Sequence, residues 1–507
     1  MARSSVEGRV SRGGGLAPAD WKAIGALGVR RLTNDSRALE PGDTFVAYPG
    51  ESRDGRDFIA QAVASGAASV LWERGRFQWD PRWRLPNYGV RDLRRHAGEI
   101  ASRIYGSPST RLRVVGITGT NGKTTCSQWI AQALTRAGRR CAVIGTLGYG
   151  MRPPLKPTAN TTPDALWLHA QLADFARRGA QAVAMEVSSI GLDQDRVAGI
   201  EFDAALFTNL SRDHLEYHRT MRSYREAKAR LFAWESLKHA VVNLDDDFGA
   251  ELARRIRRPG LSVIGYGFGT GARRARVAGL NLVAAARGVS FDVRTPWGAA
   301  HLASPVLGRY NAYNLLGTLA VLLASGIPLK RAVAALSAVK PVPGRLQRLG
   351  GGAQPLVIVD YAHTPDALKQ VLTTLRELLS SQPSAVSRQP SRLICVFGCG
   401  GDRDRGKRPQ MGNIAAHLAD RVVVTSDNPR SEDPRAIIDE IVEGVEGGSD
   451  TVVTDPDRRA AIQRAVAEAR RGDIVLIAGK GHEAYQEIGG NRQPFSDAAV
   501  AWEALAR

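Results

Sequence analysis

The chain has 507 residues, of which 43% are hydrophobic and 23% are charged, so it is typical of a globular protein too long for one core. No apolar run reaches the roughly 18 residues of a transmembrane helix, and we expect no membrane partner. The net charge of +19 favours anionic partners, either nucleic acid or phosphorylated small molecules. Because the arginines are scattered and form no long basic block, we expect no nucleic acid partner.

The first predicted domain covers residues 1–108. Its start, "MARSSVEGRVSRGGG", is basic and Gly-rich without an apolar core, which predicts a disordered leader of about 15 residues rather than a signal peptide. A turn-rich strand region, "TNDSRALEPGDTFVAYPG", is followed by a helix and a strand. The Ser/Pro segment "YGSPSTRLR" predicts a linker to the next domain.

The second predicted domain covers residues 109–339. The strand "LRVVGIT", a glycine turn, a helix ending at Gly138 and the strand "CAVIGTLG" form a βαβ unit, which predicts a mainly parallel sheet. The segments "AQAVAMEV" and "FDAALFTNL" are expected to be adjacent strands. Near the end, "PVLGRYNAYNLLGTLAVLLASG" predicts a long amphipathic helix.

The third predicted domain covers residues 340–507. Strands such as "PLVIVDYA", "RLICVFGCGG", "RVVVTSDNP" and "DIVLIAGKG" alternate with helices, which predicts a second doubly wound α/β unit. The segment "SSQPSAVSRQPSR" predicts a surface insert. Four cysteines in so long a chain form no disulfide framework, which predicts a cytoplasmic location.

The segment "GITGTNGKTT" lies at the end of the first strand of the second domain. Gly119 and Gly122 allow a phosphate to approach the backbone, and the following helix directs N–H groups towards it. Lys123 is expected to reach the β- and γ-phosphates, and the Thr124 hydroxyl to bind Mg²⁺. The turn predicts ATP or GTP with Mg²⁺, although Ile117 replaces the first glycine of the common eight-residue pattern.

Polar residues follow the next two predicted strands. Glu186 stands beside Ser188 and Ser189, and His214 follows in "TNLSRDHLEYH". At the ends of adjacent strands, Glu186 and His214 are reasonable ligands for a hard metal. His214 taken alone is equally consistent with a helix-capping or core histidine.

Ten motifs occur in the order seen in one family. They are "TGTNGKTT", "NTTP", "MEVSS", "TNLSRDHLEYH", "YREAK", "VPGR", "DYAHTPDAL", "FGCGGDRDRGKRP", "SDNPRSEDP" and "AGKGHE". On these motifs the chain resembles the Mur ligases of peptidoglycan synthesis, most closely the diaminopimelate-adding members. The resemblance implies an α/β fold of three domains: a UDP-substrate domain, a central P-loop ATPase domain with a parallel sheet, and a C-terminal Rossmann-like domain that binds an amino acid.

The implied reaction joins meso-diaminopimelate to the D-glutamate γ-carboxylate of a UDP-muramoyl dipeptide. ATP converts the carboxylate to an acyl phosphate, the amine attacks, and phosphate leaves. Phosphorylation is needed because a carboxylate repels nucleophiles and has no good leaving group. The implied cofactors are ATP and Mg²⁺, the partners are these small molecules, and we expect a monomer.

The resemblance also implies the residues of the ATP and metal sites. The metal ligands would be Thr124, Glu186, His214 and Lys228, the last as a carbamate. Without the resemblance, Lys228 would be read as a solvent-exposed helical lysine, and Asp360 and His363 as helix-capping residues. The ATP contacts would be Gly119, Thr120, Asn121, Gly122, Lys123, Thr124, Thr125, Asn209, Asp360 and His363.

For the sugar peptide, the resemblance implies Ser36 near the uridine. Along the muramoyl-dipeptide path it implies Asn160, Thr161, Thr162, Ser188, Gln194 and Arg196. This chain departs from the family pattern at Ile190 and Asp195, which puts substrate positioning near Ser188 in doubt.

The motif "DNPR" resembles the form in diaminopimelate-adding members. Diaminopimelate has a distal carboxylate that lysine lacks, and the fork of Arg430 can pair with it. Glu483 would hold the ammonium group at the same end. The full implied set is Arg403, Asp427, Asn428, Pro429, Arg430, Gly479 and Glu483.

Two other functions are open at this stage. One is a related ligase that adds lysine or extends folylpolyglutamate. The motifs "DNPR" and "GDRDRGKRP" disfavour this function. The other is a nucleic-acid-stimulated P-loop ATPase, suggested by the net charge of +19 but unsupported by any helicase-like motif.

Overall fold

The computed structural model describes residues 15–51, 53–285, 287–380, 390–445 and 451–506. Residues 1–14 of the predicted leader and residues 381–389 of the predicted insert lie outside the described residues. Three α/β sheets follow one another along the chain, and a small hairpin stands beside the last. They are called the N-terminal, central and C-terminal modules below.

The N-terminal module is a four-stranded parallel sheet in the order β1-β2-β3-β4. Its strands are β1 Leu32–Thr33, β2 Thr44–Ala47, β3 Ser69–Glu73 and β4 Asn87–Val90, and its helices are α1 Pro18–Ala26, α2 Ile59–Ala64 and α3 Leu93–Ile104. Helix α3 packs directly on the central module at Gly98, where a Cβ atom would lie 2.1 Å from the carbonyl oxygen of Ala198.

The central module has ten strands in the order β14-β13-β12-β11-β10-β9-β5-β8-β6-β7. The strands are β5 Arg113–Thr118, β6 Cys141–Gly145, β7 Gly148–Gly150, β8 Ala182–Glu186, β9 Ala204–Phe207, β10 His239–Asn243, β11 Ser262–Gly267, β12 Val277–Ala285, β13 Gly288–Thr295 and β14 Gly298–Ser304. The helices are α4 Lys123–Arg136, α5 Ala165–Arg177, α6 Ser189–Asp193, α7 Leu215–His218, α8 Met221–Ala229, α9 Asp247–Arg255, α10 Arg309–Ala324 and α11 Leu329–Ser337.

Two sequence-based expectations for this module need correction, and a third, the mainly parallel sheet, needs an addition. Strands β8 and β9 are not adjacent, because β5 pairs with both and lies between them. Strands β12 to β14 form an antiparallel extension that the βαβ pattern did not predict. Helix α10 is not amphipathic: Leu315 to Leu323 are all buried, because β-strands pack on one side of it and α4 and α11 on others.

The C-terminal module has six strands in the order β15-β16-β20-β17-β18-β19, parallel except for the edge strand β15. The strands are β15 Gln347–Gly350, β16 Leu356–Asp360, β17 Leu393–Phe397, β18 Arg421–Thr425, β19 Val452–Asp455 and β20 Ile474–Ala478, with the hairpin β21 Tyr485–Ile488 and β22 Asn491–Pro494. The helices are α12 Pro365–Ser380, α13 Arg408–Leu418, α14 Pro434–Val442, α15 Arg458–Glu468 and α16 Asp497–Leu505.

Apolar layers cover both faces of the central and C-terminal sheets, as expected for parallel sheets. Among the described residues, no helix has the length and apolarity to cross a bilayer. All four cysteines are buried and free.

A fully buried ion pair joins α15 to α16. Nε and Nη2 of Arg458 lie 2.7 Å from the two carboxylate oxygens of Asp497, and both side chains are 0% exposed. Arg458 also donates to the carbonyl oxygens of Ser426 (3.2 Å) and Ala478 (2.9 Å). The pair therefore anchors the carboxyl ends of β18 and β20, from which "DNPR" and "AGKGHE" continue.

We predict that Asp497→Ala lowers the free energy of unfolding by about 3–5 kcal/mol, because it leaves a buried guanidinium unpaired. The same two helices carry a matched, half-exposed pair, Arg459 with Glu503 at 2.7 Å. Glu503→Ala should cost at most about 1 kcal/mol. Urea denaturation of both variants measures the difference, and equal losses would contradict the prediction.

Candidate active site

The turn between β5 and α4 has room for no side chain at its glycines. Gly119 has φ +146° and Gly122 has φ +86°. A Cβ atom on Gly119 would lie 1.9 Å from the hydroxyl of Thr208, and one on Gly122 would lie 2.5 Å from Asn314 Oδ1. The turn is therefore a tight cradle of backbone at the N-terminus of α4, suited to a phosphate.

Two lysines, the part-buried Lys123 and the buried Lys228, share one backbone oxygen in this cradle. Lys123 Nζ donates to the carbonyl oxygens of Gly119 and Thr120 at 2.9 Å each, and Lys228 Nζ donates to Gly119 at 2.8 Å. Within the described chain, neither ammonium group has a carboxylate within 4.0 Å. Lys228 is 1% exposed, so its interpretation as a solvent-exposed lysine is wrong.

Burial lowers the pKa of Lys123. Burial and the nearby Lys123 charge hold the pKa of Lys228 well below its ordinary value. The positive potential of this pocket thus favours binding of a polyanion and favours the neutral form of the Lys228 amine.

Glu186, at the end of β8, is held by three hydrogen bonds. The Thr124 hydroxyl donates to it at 2.9 Å, and the N–H and hydroxyl of Thr146 donate at 2.9 and 3.1 Å. The carboxylate also excludes a side chain at Gly145, where a Cβ atom would lie 2.1 Å from it. Thr124 and Glu186 therefore meet as predicted, and Thr146 is a positioning residue that no motif indicated.

Asn209, after β9, braces the other side of the turn. Its side-chain oxygen accepts from the Asn121 N–H at 2.9 Å, and its carbonyl oxygen accepts from the Thr120 N–H at 2.9 Å. Asn209 therefore contacts the phosphate turn itself. Thr125, in the first turn of α4, is buried beside it.

A cavity of about 510 Å³ opens beside the turn, between the central and C-terminal modules. Asn121, Gly122, Thr124, Thr125, Asn209 and Asp360 from the predicted set line it. Burial raises the pKa of Asp360, which accepts from the Leu346 N–H at 2.7 Å. The capping interpretation of Asp360 and His363 is wrong, because the Thr364 hydroxyl accepts the N–H of Ala367 in the first turn of α12.

Three further residues of this cavity were not assigned from sequence. Arg345 donates to the Thr124 hydroxyl at 3.2 Å, and its guanidinium lies 4.4 Å from the ring centroid of Tyr361. Asp366 accepts from the Asn121 side chain at 3.1 Å. Each lies within a motif quoted above or next to one, "VPGR" and "DYAHTPDAL", but the motif alone did not reveal which side chain faces the nucleotide.

His214 is not brought to Glu186 in this structure. It stands at the N-terminus of α7 with φ +54°, 3.5 Å from Asp213 and 3.4 Å from Glu216. Asp213 also lies 3.9 Å from His363. Burial acts to raise the pKa of Asp213, but His214 and His363 outweigh it and hold the pKa well below its usual range.

The donors present fit a hard divalent cation in part. Thr124 and Glu186 present oxygen atoms of the kind that Mg²⁺ prefers, in contact with each other beside the phosphate cradle. Among the described residues, no group of three or more His, Cys, Asp or Glu side chains is spaced to hold a metal. A phosphate oxygen or a new anionic group would have to complete such a site.

A second cavity, of about 440 Å³, lies between the N-terminal and central modules. Asn160, Gln194 and Arg196 line it, and Arg196 donates to Gln194 and to the Thr162 carbonyl oxygen at 2.6–2.9 Å. The Thr161 hydroxyl bonds to the hydroxyl of Thr146, which in turn donates to Glu186. The Thr162 hydroxyl bonds to the Glu186 carbonyl oxygen and to the Ser188 hydroxyl. Ser36 is not among the residues that line this cavity. Its hydroxyl bonds to the Gln61 side chain at 3.0 Å.

The predicted amino-acid residues form two groups at the carboxyl ends of β17, β18 and β20. In the first, Asn428 bonds to Glu483 at 2.8 Å and to Lys480 at 2.8 Å, while Lys480 lies 3.1 Å from Glu483. Gly479 approaches Asp427 so closely that a Cβ atom would lie 2.5 Å from its carboxylate.

In the second group, two arginines flank the loop at Gly400. Arg430 donates to the Gly401 carbonyl oxygen at 2.6 Å, and Arg403 donates to that of Asp402 at 3.0 Å. Arg430 has φ +55° and follows Pro429, and its backbone is held by hydrogen bonds to Glu487 and Gly489. Arg403 and Arg430 could thus bind an anionic group of a ligand at one end of this surface, and Glu483 could bind a cationic group at the other end.

The loops of the second group rest on Arg408, which is fully buried. Its guanidinium donates to Glu432 and Glu440 at 2.9 Å. Glu432 in turn accepts the Asp402 N–H. The arginine of "GKRP" therefore supports the loops of the predicted amino-acid residues from beneath.

Comparison with known proteins supports one family throughout the chain. Residues 29–105 match the profile "Mur ligase family, catalytic domain", residues 117–322 match "Mur ligase middle domain", and residues 344–481 match "Mur ligase, glutamate ligase domain".

Several curated relatives carry the name UDP-N-acetylmuramoyl-L-alanyl-D-glutamate–2,6-diaminopimelate ligase. That of Nitrosomonas europaea is 52% identical over 486 residues, covering 94% of this chain and 93% of the relative. That of Pseudomonas aeruginosa is 49% identical over 478 residues, covering 94% and 95%.

Among solved structures, one of a protein with the same name is 38% identical, has a TM-score of 0.66 and covers 94% of this chain and 95% of its own. MurF from Acinetobacter baumannii, at 19% identity, has a TM-score of 0.66 over 94% of both chains and shares the fold. The predicted three-domain α/β architecture is confirmed, and the chain belongs to the Mur ligase family.

Proposed function

We propose that this protein is an ATP-dependent ligase that joins meso-2,6-diaminopimelate to the D-glutamate γ-carboxylate of UDP-N-acetylmuramoyl-L-alanyl-D-glutamate. The observation that carries the proposal is 52% identity over nearly the whole chain to a ligase named for that reaction. The phosphate cradle, the two inter-module cavities and the arginine-flanked loop supply a place for each substrate.

We assign residues 1–108 to the UDP-sugar, 109–339 to ATP and 340–507 to the amino acid. The cavity of about 440 Å³ would take the muramoyl dipeptide, with Arg196 pairing with its pyrophosphate or carboxylate. Its path towards Glu186 passes Thr161 and Thr162. Ser36 would need to turn from Gln61 to reach the uridine.

ATP binds in the cavity of about 510 Å³, with its phosphates on the turn from Gly119 to Thr125. Lys123 leaves the Gly119 and Thr120 carbonyl oxygens and neutralises the transferring phosphoryl group. Thr124 and Glu186 would hold Mg²⁺, which when bound neutralises charge on the phosphates. The γ-carboxylate oxygen then attacks the γ-phosphorus, the bond to ADP breaks, and the acyl phosphate forms.

Lys228 is suited to become a carbamate. Its neutral amine nitrogen adds to the carbon of CO₂, one proton leaves to solvent, and a neutral group beside Lys123 becomes an anion. The carbamate attracts the Lys123 ammonium group and supplies an oxygen ligand close to the phosphate turn. His214 would join the site after a rearrangement of the segment before α7.

The amino acid is captured at the C-terminal module. Arg430 and Arg403 would pair with the distal carboxylate of diaminopimelate, and Glu483 with the ammonium group at that end. The other amine attacks the acyl carbon, phosphate leaves, and the amide forms. Since ATP and the UDP-sugar are cytoplasmic metabolites, we assign the enzyme to the cytoplasm, as a monomer.

We expect the purified protein with ATP, Mg²⁺, UDP-muramoyl dipeptide and meso-diaminopimelate to release one phosphate for each tripeptide formed. Phosphate release and mass spectrometry measure both products. Omission of either acceptor should leave only background hydrolysis. Preference for lysine over diaminopimelate, or stimulation by DNA or RNA in place of the dipeptide, would refute the proposal.

Arg430→Ala should raise KM for diaminopimelate about tenfold to a hundredfold, because a charge-assisted contact is lost. It should leave KM for ATP within about twofold of the wild-type value. It should also reduce the ratio of kcat/KM for diaminopimelate to kcat/KM for lysine. Arg435→Ala, an exposed arginine on the neighbouring helix, is the control. Equal loss of both substrates in Arg430→Ala would contradict the assignment.

With ¹³C-labelled bicarbonate at about pH 7.5, we expect a carbamate carbon signal by NMR, because burial and the Lys123 charge lower the pKa of Lys228 and favour the neutral amine that reacts with CO₂. Lys228→Ala should lose the signal and ligase activity. Lys330→Ala, at an exposed lysine, should keep both. A signal that persists in Lys228→Ala would place the modification elsewhere.

A further inference from the structure

Two short segments face each other across the junction of the central and C-terminal modules. Arg212 belongs to the segment before α7, and Asp404 belongs to the loop before α13. Nε and Nη2 of Arg212 lie 2.8 and 3.0 Å from the two carboxylate oxygens of Asp404. This bidentate pair joins residues 192 positions apart in the chain.

The pair is less exposed on its acidic side than an ordinary surface ion pair. The Asp404 side chain is only 10% exposed, and it also accepts the Gly406 N–H at 3.0 Å. The Arg212 guanidinium packs so closely that a Cβ atom on Gly406 would lie 2.6 Å from it. The fork holds the pKa of Asp404 below its usual range.

A second path joins the same two segments. Lys407 Nζ donates to the His363 carbonyl oxygen at 2.8 Å, and the His363 ring lies 3.9 Å from Asp213. Asp213 is the neighbour of Arg212, and Lys407 lies three residues after Asp404. The two segments are therefore joined at two points, directly through Arg212 and Asp404 and indirectly through His363.

Each segment is also tied to a substrate site. The Ser211 N–H donates to the Thr120 hydroxyl at 3.0 Å, and that hydroxyl donates back to the Ser211 carbonyl oxygen at 3.2 Å. Thr120 belongs to the phosphate turn. On the other side, Asp404 directly follows Arg403, which we assign to diaminopimelate.

We infer that Arg212 is a positioning residue: its fork on Asp404 holds the Arg403 loop against the nucleotide-binding module, so that the amino-acid site is complete only when the two modules are docked. This inference rests on the proposed function for the identity of the amino acid. The docking itself depends only on the contacts between the modules.

The kinetic test compares Arg212→Ala, Asp404→Asn and the double variant. Asn at position 404 keeps a cap for the Gly406 N–H while removing the charge. We expect Arg212→Ala to raise KM for diaminopimelate about tenfold, since misplacing a binding loop costs more than the pair itself, while kcat and KM for ATP change by less than about threefold. When Asp404→Asn is already present, adding Arg212→Ala should raise KM for diaminopimelate by less than a further factor of about two.

A matched control exists within the C-terminal module. Arg376 and Asp420 form a bidentate pair at 2.8 Å with similar exposure of the arginine, but they do not join two modules. Arg376→Ala should leave KM for diaminopimelate unchanged. An equal rise in both arginine variants, or additive effects in the double variant, would overturn the inference.

A second measurement does not depend on the substrate. Small-angle X-ray scattering of the free protein should show a larger radius of gyration for Arg212→Ala than for the wild type or Arg376→Ala. Arg212→Lys, which keeps the charge but not the fork, should lie between them. If the wild type forms no tripeptide, the proposed function fails, but scattering still tests whether the Arg212–Asp404 pair holds the modules together. An unchanged radius of gyration in Arg212→Ala would overturn the inference.

Discussion

The site is organised around one backbone oxygen, the Gly119 carbonyl, to which the part-buried Lys123 and the buried Lys228 both donate. Neither lysine has a carboxylate within ion-pair distance in the described chain, so the potential beside the phosphate turn is positive. The proposed binding of a triphosphate and the proposed conversion of Lys228 to a carbamate would both balance that positive potential.

The position of β5 between β8 and β9 explains how one turn meets so many partners. Glu186 approaches from the β8 side and Asn209 from the β9 side, while the turn continues into α4 between them. This is the usual location of ligand sites in parallel α/β sheets, at the carboxyl ends of the strands. The C-terminal module then closes the cavity with Arg345 and Asp366.

The loops proposed to bind the amino acid have a separate structural basis. The loops that carry Arg403 and Arg430 lie over the fully buried Arg408, and the strands that lead to Asn428 and Gly479 are joined through Arg458 and Asp497. Buried ion pairs contribute little net stability compared with apolar packing, but they fix geometry because breaking them is costly. The +19 charge of the chain has no comparable structural account, since these sites use only a few of its cations.

The fold class, the phosphate turn and most of the chemistry could be predicted from the sequence, because glycines in a tight turn and carboxylates after buried strands are local features with few alternatives. It did not determine that β5 separates β8 from β9, that α10 is buried on all sides, or that His214 faces Asp213 and Glu216. Strand order and burial depend on which surfaces meet after the chain has folded. For the same reason, the contacts of Thr146, Arg345 and Arg212 with the site became visible only in the folded chain, since their partners are tens to hundreds of residues distant in sequence.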